Sequence, residues 1–395
     1  MPTADPIVIV SAARTPMGAF LGGLSSLSAA QLGAAAIAAA LERGKVDPGQ
    51  VERILMGCVL TAGQGQAPAR QAALAAGLPL SAAATTVNKM CGSGMQAMTL
   101  GHDMLVAGSA ELVVTGGMES MSNAPYLLAR HRTGARIGHD RLIDSLQFDG
   151  LEDAYEAGKP MGAFAEETAQ RYGFTREALD AYAERGLVRA LEAIKAGTFE
   201  REIAPVSVTT KMGQEIVDID EQPLRADPLK IGRLKPAFHG EGVITAASSA
   251  SISDGAAALV LTRASIAKRL KLSPLAVIAG HAEHAQAPNE FATAPIPAMR
   301  KALARAGWSV ADVDLFEVNE AFAVVPMAAM QALGVAPERM NIHGGACALG
   351  HPLGASGARI VCTLLAALHA TGGRRGVAAL CIGGGEATAM AIELL

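Results

Sequence analysis

The chain has 395 residues, half of them hydrophobic and only 18% charged, which is more apolar material and more length than one core usually serves. Its 33 Lys and Arg against 37 Asp and Glu leave no global charge for nucleic acid or an anionic membrane, so an anionic ligand must be met by local charge. No apolar run reaches the roughly 18 residues of a membrane span, Met1 to Ser11 does not read as a secretory leader, and five scattered cysteines without C-x-x-C spacing suggest neither a disulfide framework nor a zinc site; a cytoplasmic protein without a bound metal is expected.

Short β-rich runs alternate with Ala-rich helical stretches from the start. Strands are predicted at residues 7–10, 53–57, 85–88 and 112–115, and helices at 29–43, 68–76 and 94–107. The alternation reads as α/β with largely parallel strands. From about Ser120 to Ala250 the pattern changes to charged helices (166–171, 176–196) and Gly/Pro-punctuated loops, as expected of an insertion over a site. Residues 254–262 return to the apolar β pattern.

The opening order then recurs, with runs at 275–280, 296–306, 315–318, 321–332, 340–343, 354–370 and 376–381. Val51, Ile54 and Gly57 match Val313, Phe316 and Asn319 in spacing, and Gly116-Gly117-Met118-Glu119 matches Gly383-Gly384-Gly385-Glu386. Two related halves are the simplest account: 1–119 with 251–273, and 274–395, separated by a loop domain at 120–250. The helices at 94–107 and 354–370 carry apolar or small residues on nearly every face, as helices sandwiched between two sheets would.

Cys91, in Val87-Asn88-Lys89-Met90-Cys91-Gly92-Ser93-Gly94, follows a predicted strand and opens a predicted helix. At such a helix start the dipole and free N–H groups are expected to lower a thiol's pKa, and the Cys91 N–H points where an oxyanion would form. His351 opens the equivalent helix of the second half, where it would be near enough to take the thiol proton. Cys381 ends an apolar strand before three glycines, the kind of strand end at which α/β sheets place ligands. Asn319 ends another strand and reads equally as a ligand-fixing amide or a helix N-cap. Gly92-Ser93-Gly94-Met95-Gln96-Ala97 also reads as a dinucleotide-binding G-x-G-x-x-A, but Glu111, the acidic residue about 20 positions on, precedes the next strand instead of ending it.

In this order, the segments around Cys91, Asn319-Glu320-Ala321-Phe322, Gly350-His351-Pro352 and Cys381-Ile382-Gly383-Gly384-Gly385 resemble the thiolase family over essentially the whole chain, as does Ser11-Ala12-Ala13-Arg14-Thr15-Pro16. The resemblance implies a five-layer αβαβα fold and Claisen condensation of two acetyl-CoA to acetoacetyl-CoA and CoA, with the reverse thiolysis. Cys91 would carry the acetyl group, with His351 as its base, and Cys381 would remove the α-proton of the second acetyl-CoA. His351 with a water held by Asn319 would form one oxyanion hole, and the N–H groups of Cys91 and Gly383 the other. CoA contacts are implied at Arg225, Ser249, Ser251, Met161, Phe238, Phe291, Ala321 and Phe322; CoA is substrate and product, and no other cofactor or metal is implied.

The cations Arg130, Arg132, Arg136, His139 and Arg141 resemble a tetramerisation loop of the biosynthetic type, which implies a homotetramer built as a dimer of dimers. Pro160 before Met161, Ala250 between Ser249 and Ser251, and Phe291 depart from acetoacetyl-CoA thiolases, which leaves a 3-ketoacyl-CoA thiolase of broader chain range as an alternative. A non-catalytic acyl-CoA carrier on the same fold is the remote alternative, against which the intact quartet of Cys91, Asn319, His351 and Cys381 stands.

Overall fold

Nine strands carry the architecture: β1 (Ile7–Arg14), β2 (Arg53–Gly57), β3 (Ala83–Val87), β4 (Leu112–Ser120), β5 (Ser253–Arg263), β6 (Ala276–Ala285), β7 (Leu315–Val318), β8 (Arg375–Ile382) and β9 (Glu386–Leu394). They follow the order β7-β8-β9-β6-β1-β5-β4-β2-β3, and the two-residue strand Gly18–Ala19 pairs with β5 to complete a ten-stranded sheet. The structure is a computed structural model and describes residues 5–211, 213–238 and 240–395, so Met1 to Ala4 of the leader reading lie outside the described residues.

The expected parallel sense holds only toward the two ends, where β2 pairs with β3 and β4, and β7 with β8. Through the middle, β8–β9, β9–β6, β6–β1, β1–β5 and β5–β4 are antiparallel. Hydrophobic period reports burial and not strand direction, and the second half closes with a reversal that the sequence reading passed over. Gly384 and Gly385, at φ 92° and 85°, turn β8 back into β9. The matched tetrads therefore differ in form: Gly116 to Glu119 continue strand β4, whereas Gly383 to Gly385 make that turn.

Helices α1 (Ala29–Gly44) and α2 (Pro68–Ala75) cover the outer face of the first half, and α6 (Pro295–Ala306) and α7 (Val324–Leu333) that of the second. Between the halves lie α3 (Ser93–Val106) and α8 (Leu353–Thr371), giving the five layers. Alternation along the strands feeds separate cores, as a pleated strand requires. Val114 and Val260 pack outward with Leu32 and Ile37 of α1, while Val113 and Leu259 point inward to Met98 of α3 and Leu364 of α8. The outer core of the second half gathers Met299, Leu303, Phe316 and Val377.

The two central helices touch backbone to backbone at glycine. A Cβ on Gly94 would lie 2.8 Å from the Ala358 nitrogen, and one on Gly357 would lie 2.4 Å from the Met95 nitrogen. By length and composition α8, 19 residues with mean hydropathy 1.4, is apolar enough to cross a membrane, although Ser356, Arg359 and Thr363 interrupt its apolar run. It is a buried core helix, and its Arg359 is paired with Glu317 at 3.1 Å.

The strand expected at 340–343 is absent. Met340 makes one isolated parallel bridge to Phe316, and Asn341 then takes φ 45°. The Asn341 side chain replaces the ladder, its Oδ1 accepting from Val318 N–H and its Nδ2 donating to Val318 O, both at 2.8 Å. The insertion holds α4 (Met161–Tyr172) and α5 (Arg176–Lys195), a ribbon of Val206–Thr210 with Gly213–Val217, and a small hairpin of Tyr126–Leu127 with Ile143–Asp144.

Candidate active site

A cavity of about 730 Å³ opens where α3 and α8 begin, and its wall carries Cys91, His351, Cys381, Gly383 and Gly384. Cys91 lies two residues before α3, which Gly92 caps. Met90 ahead of it has φ 46°, a left-handed conformation uncommon for a residue with a side chain. Ser93 fixes this elbow, its hydroxyl donating to Met90 O at 2.6 Å and accepting from Lys89 N–H at 2.9 Å.

The expected lowering of the Cys91 pKa is not what the site produces. Burial pushes the thiol up, to about 11, and outweighs the backbone N–H groups of Gly383 and Cys91 that act on the sulfur in the opposite sense. Nearby Glu119 pushes in the same direction as burial. At neutral pH Cys91 is therefore a thiol whose anion is met by two N–H donors only once it forms.

His351 supplies the complementary group. It is 6% exposed, and burial followed by the Arg359 charge holds its pKa well below the ordinary histidine value, at about 3, so the ring is neutral. Its Nδ1 lies 2.6 Å from Ser356 Oγ, and that hydroxyl donates to Pro352 O at 2.9 Å. With its proton spent on Pro352, Ser356 accepts from His351 Nδ1–H, which leaves the lone pair on Nε2. The Nε2 atom is buried with no protein partner among the described residues, an arrangement that can accept a proton.

Asn319 is buried behind His351, with Nδ2 3.5 Å from Nδ1 and an unpartnered Oδ1. It is not a helix cap, since α7 begins at Val324 after Ala323. The loop that carries it is pinned by the buried Glu320 carboxylate, which accepts from Tyr182 O–H at 2.7 Å, Asn341 Nδ2 at 2.6 Å and Cys347 N–H at 3.0 Å. Cys381 is the penultimate residue of β8 and 1% exposed; burial and then the facing Cys91 hold its thiol well above the ordinary range.

Of the residues expected to contact CoA, Ser249, Ser251, Met161, Phe238, Phe291, Ala321 and Phe322 all line the cavity, as do Pro160 and Ala250. Ser249 Oγ donates to Thr245 O at 2.8 Å, and Ser251 Oγ lies 3.3 Å from Ser253 Oγ. Phe322 meets Phe238 and Phe291 edge to face, with ring centres 5.7 and 6.2 Å apart.

Arg225 is not on this wall. It sits exposed on the five-residue helix Glu221–Arg225 and pairs with Glu221. That helix is anchored elsewhere, because the preceding Asp220 accepts from buried Arg14 at 2.6 and 2.8 Å and from Met17 N–H at 2.7 Å.

Sequence reasoning missed the opposite wall, Gln147 to Tyr155, most of it one π-helical turn (Leu146–Leu151) with no chemical motif to reveal it. The positioning residue Ser356 also escaped it, and Glu119, marked only by its match to Glu386, has more partners than that match revealed. The buried Glu119 carboxylate accepts from Val59 N–H at 2.9 Å, Leu60 N–H at 3.1 Å and Gly354 N–H at 2.8 Å, tying the start of α8 to the loop after β2. A second hollow of about 640 Å³, lined by His131 and Arg132 of the basic loop, shares Phe148 and Asp149 with the main cavity.

Comparison with known proteins adds to this geometry. A family model described as "Thiolase, N-terminal domain" matches residues 7–265, and "Thiolase, C-terminal domain" matches residues 272–394. The chain is 50% identical to "Acetyl-CoA acetyltransferase 2" of Arabidopsis thaliana, over 98% of this chain and 97% of that one. It is 48% identical to "Acetyl-CoA acetyltransferase, cytosolic" of Mus musculus, over 99% and 98% of the two chains. Among solved structures it is similar to the Acat5 thiolase from Ascaris suum in complex with coenzyme A, at TM-score 0.94 and 42% identity, covering 99% of this chain and 100% of that one.

Proposed function

The chain belongs to the thiolase family, and on that premise we propose that it condenses two acetyl-CoA to acetoacetyl-CoA and free CoA, and runs the reverse thiolysis, as an acyltransferase working through Cys91. The observation that carries this reading is one cavity wall that presents two thiols, Cys91 and Cys381, together with a neutral histidine whose Nε2 is unpartnered. A single acyl transfer needs one nucleophile, whereas a Claisen step needs a second group to form the carbanion.

The sequence of steps follows from the charges. His351 Nε2 takes the Cys91 proton as the sulfur adds to the acetyl thioester carbonyl, and the N–H groups of Cys91 and Gly383 stabilise the oxyanion. The tetrahedral intermediate expels CoA thiolate, which receives the proton from His351 and leaves the acetyl group on Cys91. A second acetyl-CoA then enters. As Cys381 takes its α-proton, the Cys381 thiol proton passes to His351 Nε2, and the resulting Nε2–H and a water on Asn319 Oδ1 meet the thioester oxygen. The carbanion attacks the acetyl-Cys91 carbonyl, the C–S bond breaks, His351 returns its proton to the Cys91 thiolate, and acetoacetyl-CoA departs. Because the thiolates would be costly in so buried a site, proton transfer is coupled to bond formation instead of preceding it.

The edge-to-face cluster of Phe238, Phe291 and Phe322 supports a short acyl group, since rings of this size take volume from the acyl end. The alternative, a broader 3-ketoacyl-CoA thiolase, uses the same residues. CoA-dependent cleavage of acetoacetyl-CoA and 3-ketohexanoyl-CoA measured side by side separates them: faster cleavage of the C4 substrate supports the proposal, and faster cleavage of the C6 substrate replaces it. Cleavage of neither supports the carrier.

We also infer a cytoplasmic homotetramer. The cytosolic name of the mouse relative supports the location. Exposed Tyr126, Leu128, Ile137 and Leu142 on and around the insertion hairpin support the assembly, as does β3 at the end of the sheet path.

A further inference from the structure

On the face of α3 remote from Cys91, three side chains from two elements converge. His102 and Asp103 lie in α3, and His281 lies in β6, 178 residues further on than Asp103. His102 Nδ1 is 2.9 Å from Asp103 Oδ1, and His281 Nε2 is 3.2 Å from each of those two atoms. His102 lies eleven residues after Cys91, roughly 16 Å along a helical path.

Hydrogen bonds alone do not satisfy this triangle. Its three contacts need three hydrogens, but the carboxylate brings none and each ring nitrogen at most one. If both nitrogens are protonated, the contact between them sets donor against donor. One cation accepting three lone pairs satisfies all three contacts at once. Two donors bound to one ion at about 2.1 Å lie about 3.0 to 3.4 Å apart for bond angles of about 90° to 109°, which the observed triangle matches to within about 0.1 Å.

We propose that His102, Asp103 and His281 form a binding site for a first-row divalent transition ion such as Zn²⁺ or Co²⁺, which braces helix α3 to strand β6. Two imidazoles and one carboxylate select this class over Mg²⁺ and Ca²⁺, which prefer all-oxygen sites. His281 has 14% side-chain exposure and His102 has 18%, so the rings are held in place, while Asp103 at 59% leaves a face open to water ligands. Arg305, which donates to His281 O, opposes a cation there and is the cost the three ligands must offset. The ion is structural and takes no part in the acyl transfer.

The test is titration of the reduced, chelator-treated full-length protein with Co²⁺, followed by visible absorption and by the thermal midpoint. Wild type and Cys91→Ala should each bind one ion per chain, with the weak bands of nitrogen and oxygen ligation and a midpoint that rises with Co²⁺ concentration. His102→Gln and His281→Gln should each weaken binding at least tenfold and retain thiolysis of acetoacetyl-CoA, which reports that they are folded. Unchanged affinity in both histidine variants overturns the proposal. So does the absence of any bound ion at millimolar Co²⁺, or an intense sulfur-to-cobalt band that Cys91→Ala removes, which would put the ion at the catalytic thiols.

Discussion

His351 Nδ1 and Ser356 Oγ are 2.6 Å apart across the N-terminus of α8, and because the serine proton goes to Pro352 O, this contact leaves the imidazole lone pair on Nε2. Ser356→Ala removes that control while leaving the cavity wall intact. We expect kcat for thiolysis to fall roughly tenfold to a hundredfold with KM little changed, and Ser356→Thr to restore most of it. Steady-state kinetics of both variants check this; a fall in KM-limited rate alone would mean that the serine only shapes the cavity.

The two thiols have separable tasks. Cys381→Ala should still take an acetyl group onto Cys91 and exchange it with labelled CoA, yet lose condensation by roughly a thousandfold or more. Cys91→Ala should lose both reactions. Loss of CoA exchange in Cys381→Ala would show that the second thiol also serves acylation.

Burial raises the Cys91 pKa to about 11. The alkylation rate of Cys91 by iodoacetamide should therefore climb roughly tenfold per pH unit from 7 to 10 without a plateau. The linkage has a definite sign. The folded value lies above the unfolded value of about 8.5, so the stability contributed by the half-buried thiol is complete below pH 8.5 and is lost as pH rises through the folded pKa. A plateau near pH 8 would place the thiolate in the resting enzyme and refute the reading. Mass spectrometry of the alkylated peptide against pH measures it.

Gly357→Ala drives a methyl group into the Met95 backbone, with nothing flexible to yield. A loss of at least about 2 kcal/mol in unfolding free energy is expected, read by urea denaturation. Gly372→Ala is a poor control, because Gly372 has φ 71°. Gly186→Ala, in α5 with open space at its Cβ, should be neutral or stabilising.

The reacting groups were the most legible part of the chain, because each stands at a strand end or helix start in a short Gly-rich motif. The repeat brought the helix starts of Cys91 and His351 together, and the structure places both on one cavity wall with Cys381. Strand direction was not legible: Ala- and Val-rich runs look alike whichever way they point, and only the tight turn at Gly384 and Gly385 makes β9 antiparallel to β8. The strand expected at 340–343 from the recurring order fails because Asn341 breaks the run with a left-handed backbone and its own amide. Where Arg225 stands relative to the cavity was not legible, because the position of its helix is decided by Arg14, two hundred residues away and invisible to any local pattern. The thiol pKa failed for a similar reason, since the helix start was readable and the depth of burial was not.

The Glu119 carboxylate has a bearing on how the molecule comes to be. Its three N–H partners come from the loop after β2 and from Gly354, 235 residues away, so the site is knitted from both halves through one buried acid. A nascent chain that has folded only its first half carries that carboxylate without its Gly354 donor, in a crevice that α8 has yet to fill. Competence for chemistry must therefore appear late, in the same event that seats α8, and an abortive half-molecule is spared a reactive thiol in finished surroundings.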